Sequence, residues 1–184
     1  MILTDREIRI AIESGAISVE PPPDAAAYSS TSLDLTLNPE ITVFRRPAAG
    51  VEIVLDPSRQ GFHPERSLTD FTRQVDIPAE GFVLAPGILV LAWTAQHIDL
   101  KPLSRIAARV EGKSSLARLG LGVHITAPTI HAGFKGSVRL EMVNHGSAPV
   151  RLRAGMEICQ LIFEQTLGTP DRGYRGMFLD QHHA

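Results

Sequence analysis

Hydrophobic and polar residues alternate along most of the chain in short runs, and this pattern predicts many short β-strands. Pro or Gly punctuates most gaps between the strands, at the roughly ten-residue spacing that is typical of a β-sandwich or barrel-like domain. A helix is predicted only near the start, where Thr4 can cap it and Gly15 can stop it. The apolar residues of this helix are Ile8, Ile10, Ala11 and Ile12. The predicted strands are Ser32–Leu37, Glu40–Arg45, Val51–Leu55, Gly81–Leu84, Ile88–Thr94, Ile106–Val110, Val123–Ala127, Gly136–Asn144, Val150–Leu152 and Glu157–Gln165.

These elements are expected to form a single domain over residues 1–184, because neither a linker nor an internal repeat divides the chain. The segment Ser58–Arg73 is polar and unpatterned and predicts a long surface loop. The tail from about Gly168 is rich in Gly and ends in His182 and His183. We expect this tail to be a mobile lid.

Composition narrows the class of partner. The 184 residues are 43% apolar and 21% charged, as in ordinary globular proteins. A net charge of −2 without a basic run argues against nucleic acid but leaves room for a phosphorylated small molecule. The most apolar window, Phe82–Ala95, contains Pro86 and is too short to span a bilayer, so we expect a cytoplasmic protein without a membrane partner. The single cysteine, Cys159, excludes an intramolecular disulfide.

A cluster of cations and hydroxyls between Glu111 and Gly120 suggests a phosphate cradle; its sequence is Glu-Gly-Lys-Ser-Ser-Leu-Ala-Arg-Leu-Gly. It is not a Walker loop, because Ala107 stands where that motif needs a glycine. In a helical turn, Ser114 and Arg118 would share one face, and backbone N–H groups at its start would attract an anion. A surface turn with solvated cations is the alternative.

Glu141 is the candidate general base. It lies in the predicted strand Gly136–Asn144, with Arg139 on the same side, so a surface ion pair is the alternative interpretation. A zinc site from His124, His131 and Glu141 is a further alternative. The zinc-deaminase signature with Pro-Cys-x-x-Cys is absent, and we predict no zinc.

The block from Gly112 to Glu141 closely resembles the dCTP deaminase family, which belongs to the trimeric dUTPase-like superfamily. The resemblance extends to Leu3–Ile8, Ser32–Leu35 and the stretch from Pro149 to Glu164. It implies a mostly β, dUTPase-like β-clip, distorted barrel or sandwich with a short N-terminal helix and one short central helical turn. It also implies a homotrimer with active sites between subunits, and hydrolysis of dCTP to dUTP and ammonia.

The resemblance further implies roles for individual residues. Glu141 would be the general base, the Ala127 carbonyl would orient the amino group or water, and Mg²⁺ would arrive on the triphosphate. Ser114 and Arg118 would hold the phosphates and help to order the catalytic water. The substrate-binding residues would be Lys113, Ser114, Ser115, Leu116, Ala117, Arg118, His131, Arg139, Leu140, Glu141, Tyr174 and Gln181.

Two departures from the family pattern qualify these expectations. His131 stands where the family usually has Asp, and this argues against pyrophosphate release from dUTP or directly from dCTP. The tail is short and lacks the usual lysine, for which Arg175 is the candidate substitute. Three functions therefore stay open: a dCTP deaminase, a dUTPase or bifunctional enzyme that forms dUMP, and a catalytically silent nucleotide-binding trimer. The substrate stays open among dCTP, dCMP and a modified cytosine nucleotide. Inhibition by dTTP, with His124 as a participant, is also open.

Overall fold

β-strands form most of the regular structure in the computed structural model, which describes residues 1–45, 50, 52, 54–172, 174, 176 and 180–181. This confirms the mostly β prediction. In the described ranges the helices are α1 (Asp5–Glu13), α2 (Pro64–Thr69) and α3 (Ser114–Ala117), with 3₁₀ turns at Ala25–Ala27 and Pro102–Ser104. The strands are β1 (Ile17–Glu20), β2 (Tyr28–Ser29), β3 (Ser32–Phe44), β4 (Thr72–Asp76), β5 (Phe82–Leu84), β6 (Leu89–Leu100), β7 (Ile106–Gly112), β8 (Leu121–Gly122), β9 (Thr129–Ile130), β10 (Lys135–Asn144), β11 (Val150–Leu152) and β12 (Glu157–Gln165).

One large antiparallel sheet organises the domain, in the order β8-β10-β6-β3-β12-β7-β9. The long strand β3 changes partner along its length: residues 33–36 pair with β12, whereas residues 37 and 41–43 pair with β6. Register shifts interrupt both pairings, and such irregularities bend a sheet. The sheet therefore curls around a core to which β3 contributes the fully buried Leu33, Leu35 and Leu37. β5 and β11 form a separate two-stranded ribbon.

The N-terminal helix begins where the sequence predicts. The Thr4 N–H donates to Glu7 Oε2 at 3.2 Å, as in a capping box. Ile8 and Ala11 are buried against the sheet. Ile10 is half exposed, which corrects its assignment to the apolar face, because it lies on the opposite side of the helix from Ile8.

Three predicted strand or loop boundaries are wrong. Val123–Ala127 forms no strand, because β10 pairs only with Leu121 and Gly122 on that side and Pro128 soon follows. The segment Ser58–Arg73 is not all loop, since it contains α2 and the start of β4, which pairs with β3. The predicted break between the first two strands is absent, because β3 runs through Pro39. For the predicted strand Val51–Leu55, residues 51 and 53 lie outside the described residues.

Candidate active site

A cavity of about 350 Å³ opens between β10, the loop before β9 and the described part of the C-terminal tail. This volume lies at the lower end of the range for small-molecule pockets. Six of the predicted site residues line it, and these are Ala127, His131, Arg139, Glu141, Tyr174 and Gln181. Residues separated by up to 54 positions in sequence therefore meet around one polar cavity.

Strand β10 supplies the two charged side chains of the cavity. Its burial alternates, so that Arg139 and Glu141 are half-buried on the cavity side while Leu140 and Met142 are fully buried in the core. A bulge between Ser137 and Arg139 shifts the register with β6. Because of this bulge, the sequence neighbours Val138 and Arg139 both line the cavity. Because the Leu140 side chain is fully buried, only the backbone of Leu140 could contact a nucleotide in the cavity.

Arg139 is held by its own neighbours. Its guanidinium lies over the Trp93 ring, 4.3 Å from the ring centroid, and donates to Thr42 Oγ1 at 3.0 Å. Trp93 and Thr42 are both buried. These contacts fix one wall of the cavity and take the place of the surface ion pair considered above. Among the described residues, the Glu141 carboxylate forms no hydrogen bond or ion pair, so it can accept a proton from a ligand or water.

His131 and Tyr174 form the opposite wall. Their rings are stacked, with centroids 5.5 Å apart and planes at 16°. The Tyr174 N–H donates to the Ala132 carbonyl at 3.1 Å, and its ring also contacts Phe134, with centroids 6.0 Å apart. The stack joins the C-terminal tail to the turn after β9, at the position where His replaces the family Asp.

The tail is anchored a second time near its end. Gln181 Nε2 donates to the Ser137 carbonyl at 2.9 Å, and the Ser137 N–H donates to the Gln181 carbonyl at 3.0 Å. These contacts tie Gln181 to the first residues of β10, directly beside the cavity. Arg175, the candidate substitute for the family lysine, lies outside the described residues.

The predicted phosphate cradle lies elsewhere. Ser114, Ser115 and Arg118 are exposed on and just after the short helix α3, and none of them lines the cavity. Leu116 is half-buried and Ala117 is exposed. The cavity and the cradle of a single chain are therefore two separate surfaces.

Lys113 points away from the exposed cradle. Its ammonium is paired with Asp34 and with Glu157 Oε2, the latter at 2.6 Å. Burial lowers the pKa of Lys113, but the hydrogen bonds and charges of Asp34 and Glu157 outweigh this and hold the pKa above its usual value. Its charge is therefore engaged within the chain.

His124 is a cavity residue to which the sequence assigned no substrate contact. It lines the cavity, and its buried Nδ1 has no hydrogen-bond partner among the described residues. Val110, Thr129, Ile130 and Phe134 complete the lining. The sequence gives no local signal for these four residues as ligand contacts, because the pairing of β7 with β9 and the turn after β9 bring them to the cavity.

Neither a metal cluster nor a membrane span is found among the described residues. No group of three His, Cys, Asp or Glu side chains there is placed to hold a metal ion. No described helix is long and apolar enough to cross a membrane. The proposed zinc ligands His124, His131 and Glu141 line the same cavity but do not form such a group.

The fold is shared with nucleotide-metabolising enzymes. The 2′-deoxycytidine 5′-triphosphate deaminase from Agrobacterium tumefaciens superposes with a TM-score of 0.65 and 24% identity over 88% of this chain, which spans 47% of that longer chain. A dUTPase of Staphylococcus bacteriophage 80alpha superposes with a TM-score of 0.51 and 11% identity, covering 88% of this chain and 97% of that chain. The predicted dUTPase-like fold is thereby confirmed.

Several proteins have a higher sequence identity to this chain than these two structures have. The dCTP deaminase of Shewanella amazonensis is 38% identical over 199 residues, covering 100% of this chain and 95% of that protein. A "dCTP deaminase, dUMP-forming" of Beutenbergia cavernae is 41% identical over 95% of this chain and 84% of that protein, and one of Methanobrevibacter smithii is 35% identical over 92% and 82%. The family model described as dCTP deaminase-like matches residues 2–166. The chain belongs to the dCTP deaminase family of enzymes.

Proposed function

We propose that this enzyme hydrolyses the 4-amino group of dCTP, giving dUTP and ammonia, with Glu141 as the general base. The observation that carries the proposal is the position of Glu141: a half-buried carboxylate without a described partner, in a cavity with Ala127, His131 and Arg139. Relatives that are 38% identical over the whole chain bear the name dCTP deaminase.

The proposed chemistry requires two proton transfers. The Glu141 carboxylate takes a proton from water as the water oxygen bonds to C4 of cytosine, and that proton passes to the ring nitrogen N3. Glu141 then takes the proton of the new C4 hydroxyl and passes it to the exocyclic amino group, the bond between C4 and that nitrogen breaks as the C4 carbonyl forms, and ammonia leaves. One carboxylate can perform both transfers in sequence. The Ala127 carbonyl would accept a hydrogen bond from the amino group or the water.

The proposal includes no zinc. Cys159, the single thiol, is fully buried, and burial raises its pKa to about 12, so it is not available as a thiolate ligand. Mg²⁺ would enter as part of the substrate, bound to the triphosphate. The substrate is therefore written as Mg–dCTP.

The position of the cradle favours a homotrimer. A cavity of this size suits the base and sugar better than a complete nucleoside triphosphate. The exposed Ser114, Ser115 and Arg118 do not line the cavity of their own chain. If the cradle of one subunit closed the cavity of the next, each site would hold the nucleoside on one chain and the phosphates on another.

Release of pyrophosphate with formation of dUMP is the second candidate. It is favoured by the names of the Beutenbergia and Methanobrevibacter relatives. His131 argues against it, because an imidazole, here stacked on Tyr174, cannot carry the negative charge of the carboxylate that the resemblance places at this position to activate a second water. The tail from about residue 168 is proposed to act as a lid, since Tyr174 and Gln181 both line the cavity.

One experiment separates these functions. The enzyme is incubated with Mg²⁺ and, in turn, dCTP, dCMP, CTP and dUTP, while ammonia and pyrophosphate are measured separately. Ammonia from dCTP without pyrophosphate is the expected result. Pyrophosphate from dCTP or dUTP would support the dUMP-forming candidate, and binding of dCTP without either product would support a silent nucleotide-binding trimer.

A further inference from the structure

Lys113 immediately precedes the exposed turn that carries Ser114 and Arg118, yet its side chain runs in the other direction. The ammonium contacts Asp34 of β3 and Glu157 of β12. Asp34 is 9% exposed and the Lys113 side chain 20% exposed, whereas Glu157 is half exposed. The Lys113–Asp34 pair is thus mostly shielded from water and links the start of the turn to a central strand.

The backbone on both sides of Lys113 is held as well. The Gly112 carbonyl accepts from Gln160 Nε2 at 3.2 Å, and Gln160 Oε1 accepts from Ser32 Oγ at 2.9 Å. The Lys113 carbonyl accepts from the N–H groups of residues 116 and 117, at 3.0 and 2.9 Å, and so begins α3. The turn is therefore anchored at its first residue to β3 and β12.

Helix α3 needs such an anchor. It has four residues, of which only Leu116 packs, half-buried, against the core, and so short a helix does not persist by its own hydrogen bonds. The direction in which Ser114, Ser115 and Arg118 point therefore depends on how the start of the turn is held.

The charges around Lys113 also make it a poor phosphate ligand. One ammonium between two carboxylates leaves a local net charge of −1, which repels a triphosphate. Among the described residues, the exposed Arg118 guanidinium has no acceptor and remains available to an anion.

We infer that Lys113 is a positioning residue for the phosphate-binding turn, acting through Asp34 and Glu157, and not a ligand of the phosphates. The inference rests on the proposed function, in which this turn holds the phosphates. It assigns to Asp34, a residue far from the turn in sequence, a part in nucleotide binding through Lys113.

The test replaces the ion pair by an apolar pair of similar volume. A shielded pair can often be replaced in this way without loss of stability, whereas removal of one partner leaves a shielded charge uncompensated. Lys113→Met alone is expected to weaken binding of Mg–dCTP about tenfold, within the range of coupling between contacting residues. It should also speed hydrogen exchange of the amides of residues 114–118. The double variant Asp34→Leu/Lys113→Met, which has no cation at position 113, should recover both properties to within about threefold of wild type.

Two further variants complete the design. Asp34→Asn keeps the Lys113 ammonium and should nevertheless weaken binding of Mg–dCTP and speed hydrogen exchange of residues 114–118. This variant replaces Lys113→Met in the test if Lys113→Met does not fold. Lys101→Met is the matched control, because Lys101 pairs with Asp99 at the surface and does not line the cavity. It should leave binding and exchange unchanged.

The outcomes separate the roles. The inference is wrong, and the Lys113 ammonium itself holds phosphate, if the double variant recovers slow exchange but binds Mg–dCTP no better than Lys113→Met. The same conclusion follows if Asp34→Asn binds Mg–dCTP as tightly as wild type. Unchanged exchange in Lys113→Met and Asp34→Asn would also overturn it. If wild type neither binds nor deaminates dCTP, the proposed function fails, and exchange at residues 114–118 still decides the positioning role.

Discussion

Replacing Glu141 by Gln removes one ionisable oxygen from the cavity and leaves the shape of the side chain almost unchanged. The Glu141 carboxylate has no partner among the described residues, and its backbone pairs with Leu91 whatever the side chain. We therefore expect the free energy of unfolding to change by less than about 0.5 kcal/mol. Loss of a general base should lower the rate of deamination by about 10²–10⁴-fold. That corresponds to about 3–5 kcal/mol in the activation barrier.

The assay measures ammonia release from Mg–dCTP under single-turnover conditions, with binding measured by calorimetry and unfolding by urea titration. Glu40→Gln is the matched control, because Glu40 lies on β3 outside the cavity and accepts from Gln74 Nε2 at 3.0 Å. The control should keep wild-type turnover. If Glu141→Gln retained more than about a tenth of the wild-type rate, or if Glu40→Gln lost as much, Glu141 would not be the base.

Three other substitutions or reactions test the surrounding structure. Thr42→Val removes one acceptor of Arg139 and should cost about 1 kcal/mol of stability together with a fall in ammonia release; unchanged turnover would show that this hydrogen bond does not position Arg139. Asn144 is fully buried and forms three side-chain hydrogen bonds at 2.9 Å, so Asn144→Ala should cost about 3 kcal/mol in urea titration, and a loss below about 1 kcal/mol would contradict this. Burial, and next the charge of Asp34, raise the pKa of Cys159 from 9.0 to about 12, so its neutral thiol stabilises the fold below pH 9 and this contribution is lost as the pH rises towards 12. At pH 8 a thiol reagent should therefore label Cys159 only as fast as the protein unfolds, and rapid labelling of the folded protein would refute its burial.

The strand pattern predicted the faces of β10 correctly from Arg139 onward, after the bulge. Successive side chains of a strand point to opposite sides, so alternation alone placed Arg139 and Glu141 together and sent Leu140 to the core. Local rules also identified α1, whose cap and stop lie within the element itself. The resemblance to dCTP deaminases identified the family, because the motifs that carry it are contiguous stretches of sequence.

The sequence pattern predicted strands wrongly where pairing depends on residues distant in sequence or where local signals conflict. Val123–Ala127 has apolar residues but forms no strand, since the pairing with β10 ends at Leu121 and Gly122. Pro39 predicted a break, yet β3 continues because neighbouring strands hold its ends.

By itself, the sequence determined the strand-rich composition, the family and the identity of the candidate base. Only the tertiary structure decided that His131 stacks on Tyr174, that Arg139 lies over Trp93 and that Lys113 is held by Asp34. It also decided that the cradle of a chain does not open into its own cavity. The physical reason is that alternation and capping are set by neighbours within a few residues, whereas these contacts join segments 40 to 80 residues apart. Their formation depends on how the sheet curls, and no local pattern records that.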